Sequence, residues 1–261
     1  MIANQPKPTF DADYQYFQQV ERAGRFSVPW WSAYFYARLV WRYAPMTTPP
    51  SRVLEIGCGF GWVLQHLARD YETFGIDISA YAIDAARKNL LHSNLCVGDA
   101  ATLREFPDGY FNAIVAKHVL EHIAAPGETL VECARVLARG GVLIYGTPNA
   151  DAPLKHLKGA QWIGVKDPTH ISVFPPAEWL RLTRAAGLRV LRAFSDGLWD
   201  VPYLPRIPAL VQLPIFGAPA ALQVLLGIPF IPVRWGESLI VIAVKGANES
   251  ERVNESERMN E

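Results

Sequence analysis

Three side chains in the stretch AKHVLEHI could gather around one proton or one ion. His118, Glu121 and His122 stand three and one residues apart. On a helical turn, residues i and i+3 share a face and i+4 lies beside them, so this spacing predicts convergence. His170 follows in DPTHISVFPPAEWL, just ahead of a helical pattern. The four make a set of three imidazoles and one carboxylate. Such a set can hold a divalent metal, and its composition suits zinc, iron or manganese better than magnesium, which prefers oxygen ligands and water. Without metal, the same groups can act as a general base or as a hydrogen-bonded pocket wall. Purely structural roles stay open for each.

A second cluster lies upstream. VLEIGCGFG, from Val53 to Gly61, ends an apolar run in Glu55 and then places Gly57, Gly59 and Gly61 at spacings of two, with Cys58 between the first pair. A strand running into a glycine-rich turn and then a helix brings backbone N–H groups close to a ligand. The dinucleotide fingerprint G-x-G-x-x-G fails because Trp62 occupies its third glycine position. A phosphate-cradling G-x-x-x-x-G-K-[ST] run does not occur.

The elements that must position these residues follow from the apolar pattern. From Ser51 to about Phe194, the short apolar runs RVLEIG, TFGIDI, NLCVGD, FNAIVAK, GGVLIYGT and LRVLRAF alternate with helical stretches. Buried runs alternating with helices predict a parallel sheet covered on both faces. Ser79 caps one predicted helix, Gly140-Gly141 closes another and Gly187 the last. SLIVIAVKG then adds a seventh strand. Ahead of the sheet, SVPWWSAYFYARLVWRYAP reads as an aromatic helix with Ser27 as N-cap, ending before Pro45. Its rings either cover a core or form a lid over a substrate pocket.

At this point the chain resembles the class I S-adenosylmethionine-dependent methyltransferases, over roughly Ser51 to Phe194 and again in the last strand. VLEIGCGFG is similar to the family's first motif. FGIDIS places Asp77, with Ile78 beside it, where the family's acidic residue takes both ribose hydroxyls. CVGDA places Asp99 and Ala100 where the family reads adenine. FPDGYFNAIVAKHVLEHI is similar to the fourth-strand motif, with Asn112 where Asp is usual and Lys117 at its exit. LARGGVLIYGTPN is similar to the fifth-strand hairpin. The resemblance implies a Rossmann-like α/β fold: a seven-stranded, mostly parallel sheet with helices on both faces and the last strand antiparallel. It implies S-adenosylmethionine as cofactor, held by Glu55, Gly57, Cys58, Gly59, Gly61, Asp77, Ile78, Asp99, Ala100 and Lys117, with Glu55 near the cofactor's ammonium. Glycine there would let the chain pass flat against the cofactor, where a Cβ would clash. The E-H pair after the fourth strand, with His170, also resembles ubiquinone-biosynthesis O-methyltransferases and small-RNA 2′-O-methyltransferases, which carry E-x-x-E-H and a divalent metal there. Here His118 replaces the first glutamate.

Composition bounds the acceptor. The 261 residues, half of them apolar and of zero formal net charge, lack the basic stripe that nucleic acid demands. Three unpaired-looking cysteines and the absence of a signal-peptide pattern predict a reduced, cytoplasmic protein. The expected organisation is an aromatic helical lid at 1–50, a methyltransferase domain at 51–246 carrying an apolar insertion at 197–236, and a disordered polar repeat at 247–261. No charge occurs between Arg206 and Arg234; Gln212 and Gln223 are the polar side chains there, and five prolines argue against one straight helix. The insertion could cap the sheet edge, wall a lipid-like acceptor, or touch the inner face of a membrane through 207–233. The expected function is methyl transfer to a small or lipid-like acceptor at oxygen. The alternative is a non-catalytic cofactor-binding adaptor, motivated by Asn112 and His118.

Overall fold

The computed structural model describes residues 10–14, 17–18, 21, 24, 27–45 and 51–246; the polar repeat at 247–261 lies outside the described residues. Seven strands form one sheet: β1 (Arg52–Ile56), β2 (Glu72–Asp77), β3 (Asn94–Val97), β4 (Phe111–Lys117), β5 (Leu137–Pro148), β6 (Leu188–Ser195) and β7 (Ser238–Lys245). Their order is β3-β2-β1-β4-β5-β7-β6. The first five pair in parallel, and β7 runs antiparallel to both β5 and β6. Chain order reverses at β1, which touches both β2 and β4. Ligands in open α/β sheets bind outside the strand ends at such a switch point.

Alternation along the strands divides the core into two layers. Leu54, Ile114 and Leu143 face one side, packed with Leu130 and Cys133 of α4 (Pro126–Val136) and Trp179 of α5 (Pro176–Ala185). Val53, Val115 and Ile144 face the other, packed with Phe35, Leu39 and Val40 of α1 (Val28–Tyr43) and Val63 and Leu67 of α2 (Trp62–Leu67). Each fully buried aliphatic or aromatic side chain contributes about 1.5–3 kcal/mol. Helix α1 follows its sequence signals: Ser27 accepts from Trp30 N–H, Pro29 sits in the first turn, and the helix stops before Pro45. It lies so close to the sheet that a Cβ on Gly146 would collide with the Tyr36 hydroxyl. Phe35 and Tyr36 of this helix are thus part of the core, while Trp31 and Trp41 are exposed. Helix α3 (Ala80–Asn89) starts at the Ser79 cap, whose hydroxyl accepts from Ala82 N–H.

Two expectations need correction. Gly140-Gly141 does not close α4. The helix ends at Val136 because Leu137 already pairs with Phe111; the chain then turns through Gly140 at φ +72° and pairing resumes at Val142. The insertion is also more regular than its prolines predict. It contains a single helix, α6 (Ala209–Leu226), with Pro214 and Pro219 inside it. Interior proline costs about 3 kcal/mol, and side-chain anchors at both ends hold α6 in place. Gln212 Oε1 accepts from Tyr203 and Leu204 N–H, and its amide donates to Leu204 and Ile207 carbonyls. Gln223 Oε1 accepts from Phe230 and Ile231 N–H, and its amide donates to Ser195. Arg38 of α1 donates to the last carbonyls, Leu225 and Leu226.

Candidate functional site

A cavity of about 1180 Å³ opens over the carboxyl ends of β1, β2 and β4. That exceeds the roughly 300–1,000 Å³ of a site for one drug-sized ligand. Glu55, Gly57, Cys58, Gly59, Asp77, Ile78, Asp99, Ala100 and Lys117 line one part of it; His118, His122 and His170 line another. Gly61 and Glu121 stand just outside.

The three loop glycines turn out to serve different neighbours. A Cβ on Gly57 would lie 2.3 Å from Val119 Cγ2, and one on Gly61 would lie 2.3 Å from Leu90 Cδ1. Their bareness accommodates this chain's own packing, contrary to the expectation that a cofactor demands it at each. Over Gly59 the space is open, with Phe17 at 4.0 Å as the nearest neighbour. All three adopt positive φ, between 52° and 75°, which favours glycine.

Asp77 holds this loop to the next helix. One of its oxygens accepts from Gly59 N–H at 2.8 Å and the other from Ser79 N–H at 2.9 Å. Burial raises its carboxyl above the usual range, against the lowering effect of these two donors. Each oxygen keeps capacity for a further donor. Asp99 accepts from Ala101 N–H. Glu55 is buried at the end of β1, and its Oε2 has no hydrogen-bond partner among the described residues. Burial pushes its carboxyl up to about 8, although the Lys117 charge and the Leu64 N–H pull it down. An unpartnered carboxylate oxygen facing a cavity suits a cationic group, and the space over Gly59 suits a flat one. These residues fit an adenosine that carries an amino acid. Asn112 sits at the opposite end of β4 and accepts from Arg52 N–H. Its departure from the usual Asp is therefore remote from the cavity.

The histidine cluster is not one helical face. His118 leaves β4 at φ +53°, and a short 3-10 turn, Leu120–His122, follows. His118 Nδ1 contacts Glu121 Oε1 at 3.1 Å. Ligand atoms of Glu121, His122 and His170 lie within 4.8 Å of one another, and His118 is not in this group. The reason His170 arrives lies in the backbone: Ile171 and Ser172 N–H both donate to the Glu121 carbonyl at 2.9 Å. Glu121 is wholly buried, and its Oε2 and His170 Nδ1 have no hydrogen-bond partner among the described residues. Burial alone would raise the Glu121 carboxyl; the His118 hydrogen bond and the surrounding imidazoles hold it below the usual range.

His122 is oriented by groups that the spacing did not single out. The Thr169 hydroxyl donates to Asp167 Oδ1 at 2.6 Å and lies 2.8 Å from His122 Nδ1. A hydroxyl has one proton. Since it goes to Asp167, His122 Nδ1 must carry hydrogen, and Nε2 keeps the lone pair. Tyr14 donates to the other Asp167 oxygen at 2.6 Å, and Phe10 stands edge-on to His122. Burial lowers the His122 pKa, partly opposed by the Glu121 charge. Asp196, at the end of β6, adds a buried carboxyl that accepts from Ser238 N–H and Trp199 Nε1. Its carboxyl is raised by burial and faces His118. The signal for Thr169 was present in the Asp-Pro-Thr-His stretch, whose first residue accepts from Thr169 N–H as a turn aspartate does. Nothing local marked Tyr14 or Asp196.

Much of the remaining wall is apolar, including Val28, Trp31, Ile163, Ile171 and the α6 residues Leu213, Pro214 and Val224, with Ser32, Lys166, Asp200 and Gln223 among its polar members. Phe17 stacks on Phe60 of the glycine loop, so the N-terminal segment covers both halves of the cavity.

Comparison with known proteins agrees with this geometry. The methyltransferase-domain family profile matches residues 30–193. A ubiquinone biosynthesis O-methyltransferase of Thiobacillus denitrificans is 30% identical over 164 residues, covering 58% of this chain and 70% of that protein. Its counterpart in Aromatoleum aromaticum is 33% identical over 150 residues, covering 52% and 63%. The solved structure of a SAM-dependent methyltransferase from Archaeoglobus fulgidus superposes with a TM-score of 0.60 at 21% identity, covering 88% of this chain and all of that one. The chain thus belongs to the class I S-adenosylmethionine-dependent methyltransferases.

Proposed function

We propose that this enzyme methylates a hydroxyl group on a small or lipid-like acceptor, with His122 as general base. The observation that carries this reading is the Asp167–Thr169–His122 chain, which leaves His122 Nε2 as a bare acceptor in a residue that lines the cavity. The oxygen chemistry named for the relatives supports it. S-adenosylmethionine supplies an electrophilic methyl group. Asp77 would take its ribose hydroxyls, Asp99 and Ala100 would border its base, and Glu55 would face its ammonium. The acceptor hydroxyl gives its proton to His122 Nε2 as its oxygen becomes the nucleophile. Its lowered pKa keeps His122 neutral, and therefore basic, at neutral pH. Phe10, Tyr14 and Phe17 act as a lid that excludes water, and the apolar wall receives the acceptor's body.

The test uses radiolabelled methyl transfer to a panel of catechols. His122→Ala should lower kcat by about 10²–10⁴ while S-adenosylhomocysteine binding stays unchanged. Thr169→Val should lower kcat about tenfold and leave the acceptor KM in place. Full activity of both variants would refute the base assignment.

The unpartnered Glu121 Oε2 and His170 Nδ1 favour a second reading. Glu121, His122 and His170 would then hold a divalent metal that polarises the acceptor hydroxyl. Near-stoichiometric metal in protein purified without chelator, lost in His170→Ala, would favour it. Chelator-insensitive activity would remove it.

A further inference from the structure

Helix α6 is apolar on every side, and the structure gives each side a different neighbour. At 100° per residue, Gln212, Ala220 and Gln223 fall on one face and are buried, with Ala220 and Gln223 also bordering the cavity. Leu213, Gly217, Ala221 and Val224 fall on the next and line the cavity. Ile215, Leu222 and Leu226 fall on the third and are 67%, 49% and 49% exposed. Leu225 lies between the last two faces, both exposed and cavity-lining, so it marks the rim.

We propose that this outer face seats the enzyme on an anionic lipid surface, and that an acceptor with an apolar chain enters the cavity from that surface past Leu213 and Leu225. The acceptor half of this statement rests on the function proposed above. Three observations select lipid as the occupant. First, α6 has the length and composition of a membrane-crossing helix, yet Gln212 and Gln223, eleven residues apart and on one face, tie it to the protein at both ends. It is held along the surface and does not cross. Second, residues 201–236 contain Arg206 and Arg234 and no acidic residue. The nearest acids are both taken up by the protein, Asp200 by an ion pair with Lys158 and Glu237 by full burial, so the exposed charges flanking α6 are Arg206 and Arg234, with Trp235 exposed beside the latter. Arginine and tryptophan are the side chains that sit at headgroup level. Third, protein interfaces carry about one hydrogen bond per 100–200 Å². Both polar side chains of α6 point inward, so its outer face presents no side-chain donor or acceptor to a protein.

The experiment is flotation of the full chain with vesicles of phosphatidylcholine alone or mixed with phosphatidylglycerol. The protein should float with the mixed vesicles and less with the neutral ones. The combined variant Ile215→Ser, Leu222→Ser and Leu226→Ser should weaken vesicle binding at least about tenfold, with its melting curve and S-adenosylhomocysteine affinity retained. Arg206→Gln with Arg234→Gln should weaken binding to the mixed vesicles only. Catechol methylation should survive the triple serine variant, so loss of flotation is read separately from loss of methyl transfer. Failure of the wild type to float, or flotation indifferent to the serine substitutions, would overturn the proposal. So would a lipid-free dimer, seen by sedimentation equilibrium, that the serine variant splits: a second copy would then cover α6.

Discussion

Glu55 carries a quantitative consequence for cofactor binding. Its carboxyl is buried at the end of β1 with one oxygen unpartnered, and its pKa stands at about 8. In the free protein at pH 7 it is therefore about 90% protonated. A cofactor ammonium brought against it would ionise it, and the proton must leave. Binding of S-adenosylhomocysteine should then release about 0.9 protons at pH 7 and about half a proton at pH 8. Titration calorimetry in phosphate and in Tris reads this number directly, since the apparent enthalpies differ by the released protons times the difference in buffer ionisation enthalpy. Glu55→Gln should abolish the buffer dependence and weaken binding. Release below about 0.2 protons at pH 7, or the same release from the Gln variant, would refute the placement of the ammonium at Glu55.

The same shift has a stability sign. The folded-state value lies above the ordinary 4.5, so the unfolded chain ionises first as pH rises. The free protein should lose stability between pH 4.5 and about 8, by about 3 kcal/mol at pH 7. Glu55→Gln should remove that loss and raise the Tm of the free protein while impairing its ligand binding.

Two further substitutions separate architecture from site. Gln223→Leu deprives Phe230 N–H, Ile231 N–H and the Ser195 carbonyl of their partner; at roughly 1 kcal/mol each, the urea midpoint should fall by the equivalent of about 3 kcal/mol. Gly57→Ala and Gly59→Ala both place a methyl at positive φ, costing about 1 kcal/mol; Gly57→Ala also forces it to 2.3 Å from Val119 and should lower Tm further, whereas Gly59→Ala, with open space above it, should lower Tm less and weaken S-adenosylhomocysteine binding measured by calorimetry.

What could be read from sequence was what short-range physics dictates. Strands buried on both faces, such as FNAIVAK, announce themselves as unbroken apolar runs, and Ser27 and Ser79 cap the helices they precede. Reading failed where a distant partner overrides a local signal. Val136 ends α4 because Leu137 meets Phe111, twenty-six residues upstream, before the glycines are reached. Pro214 and Pro219 do not interrupt α6 because Gln212 and Gln223 anchor its ends to the backbone of the loops that flank it and to Ser195 at the end of β6. The site divides in the same way. Glu55 and Asp77 stand at the carboxyl ends of β1 and β2, and Asp99 comes two residues after β3. The orientation of His122 depends on Thr169, Asp167 and Tyr14, which meet only after the chain has folded.

The position of β7 has a consequence for the order in which the enzyme becomes complete. Among the described residues this strand is the last element, yet it lies inside the sheet, and β6 pairs with it alone. On an emerging chain, the strand-end residues that line the glycine-loop part of the cavity, Glu55 to Lys117, are synthesised some hundred and twenty residues before β7 begins at Ser238. Until those eight residues arrive, β5 shows a bare edge through Tyr145 and Thr147, and Asp196 and the insertion after β6 have no fixed place. A nascent chain can thus assemble the glycine-loop half of the cavity early, while the α6 wall waits for β7 to slide between two strands already formed.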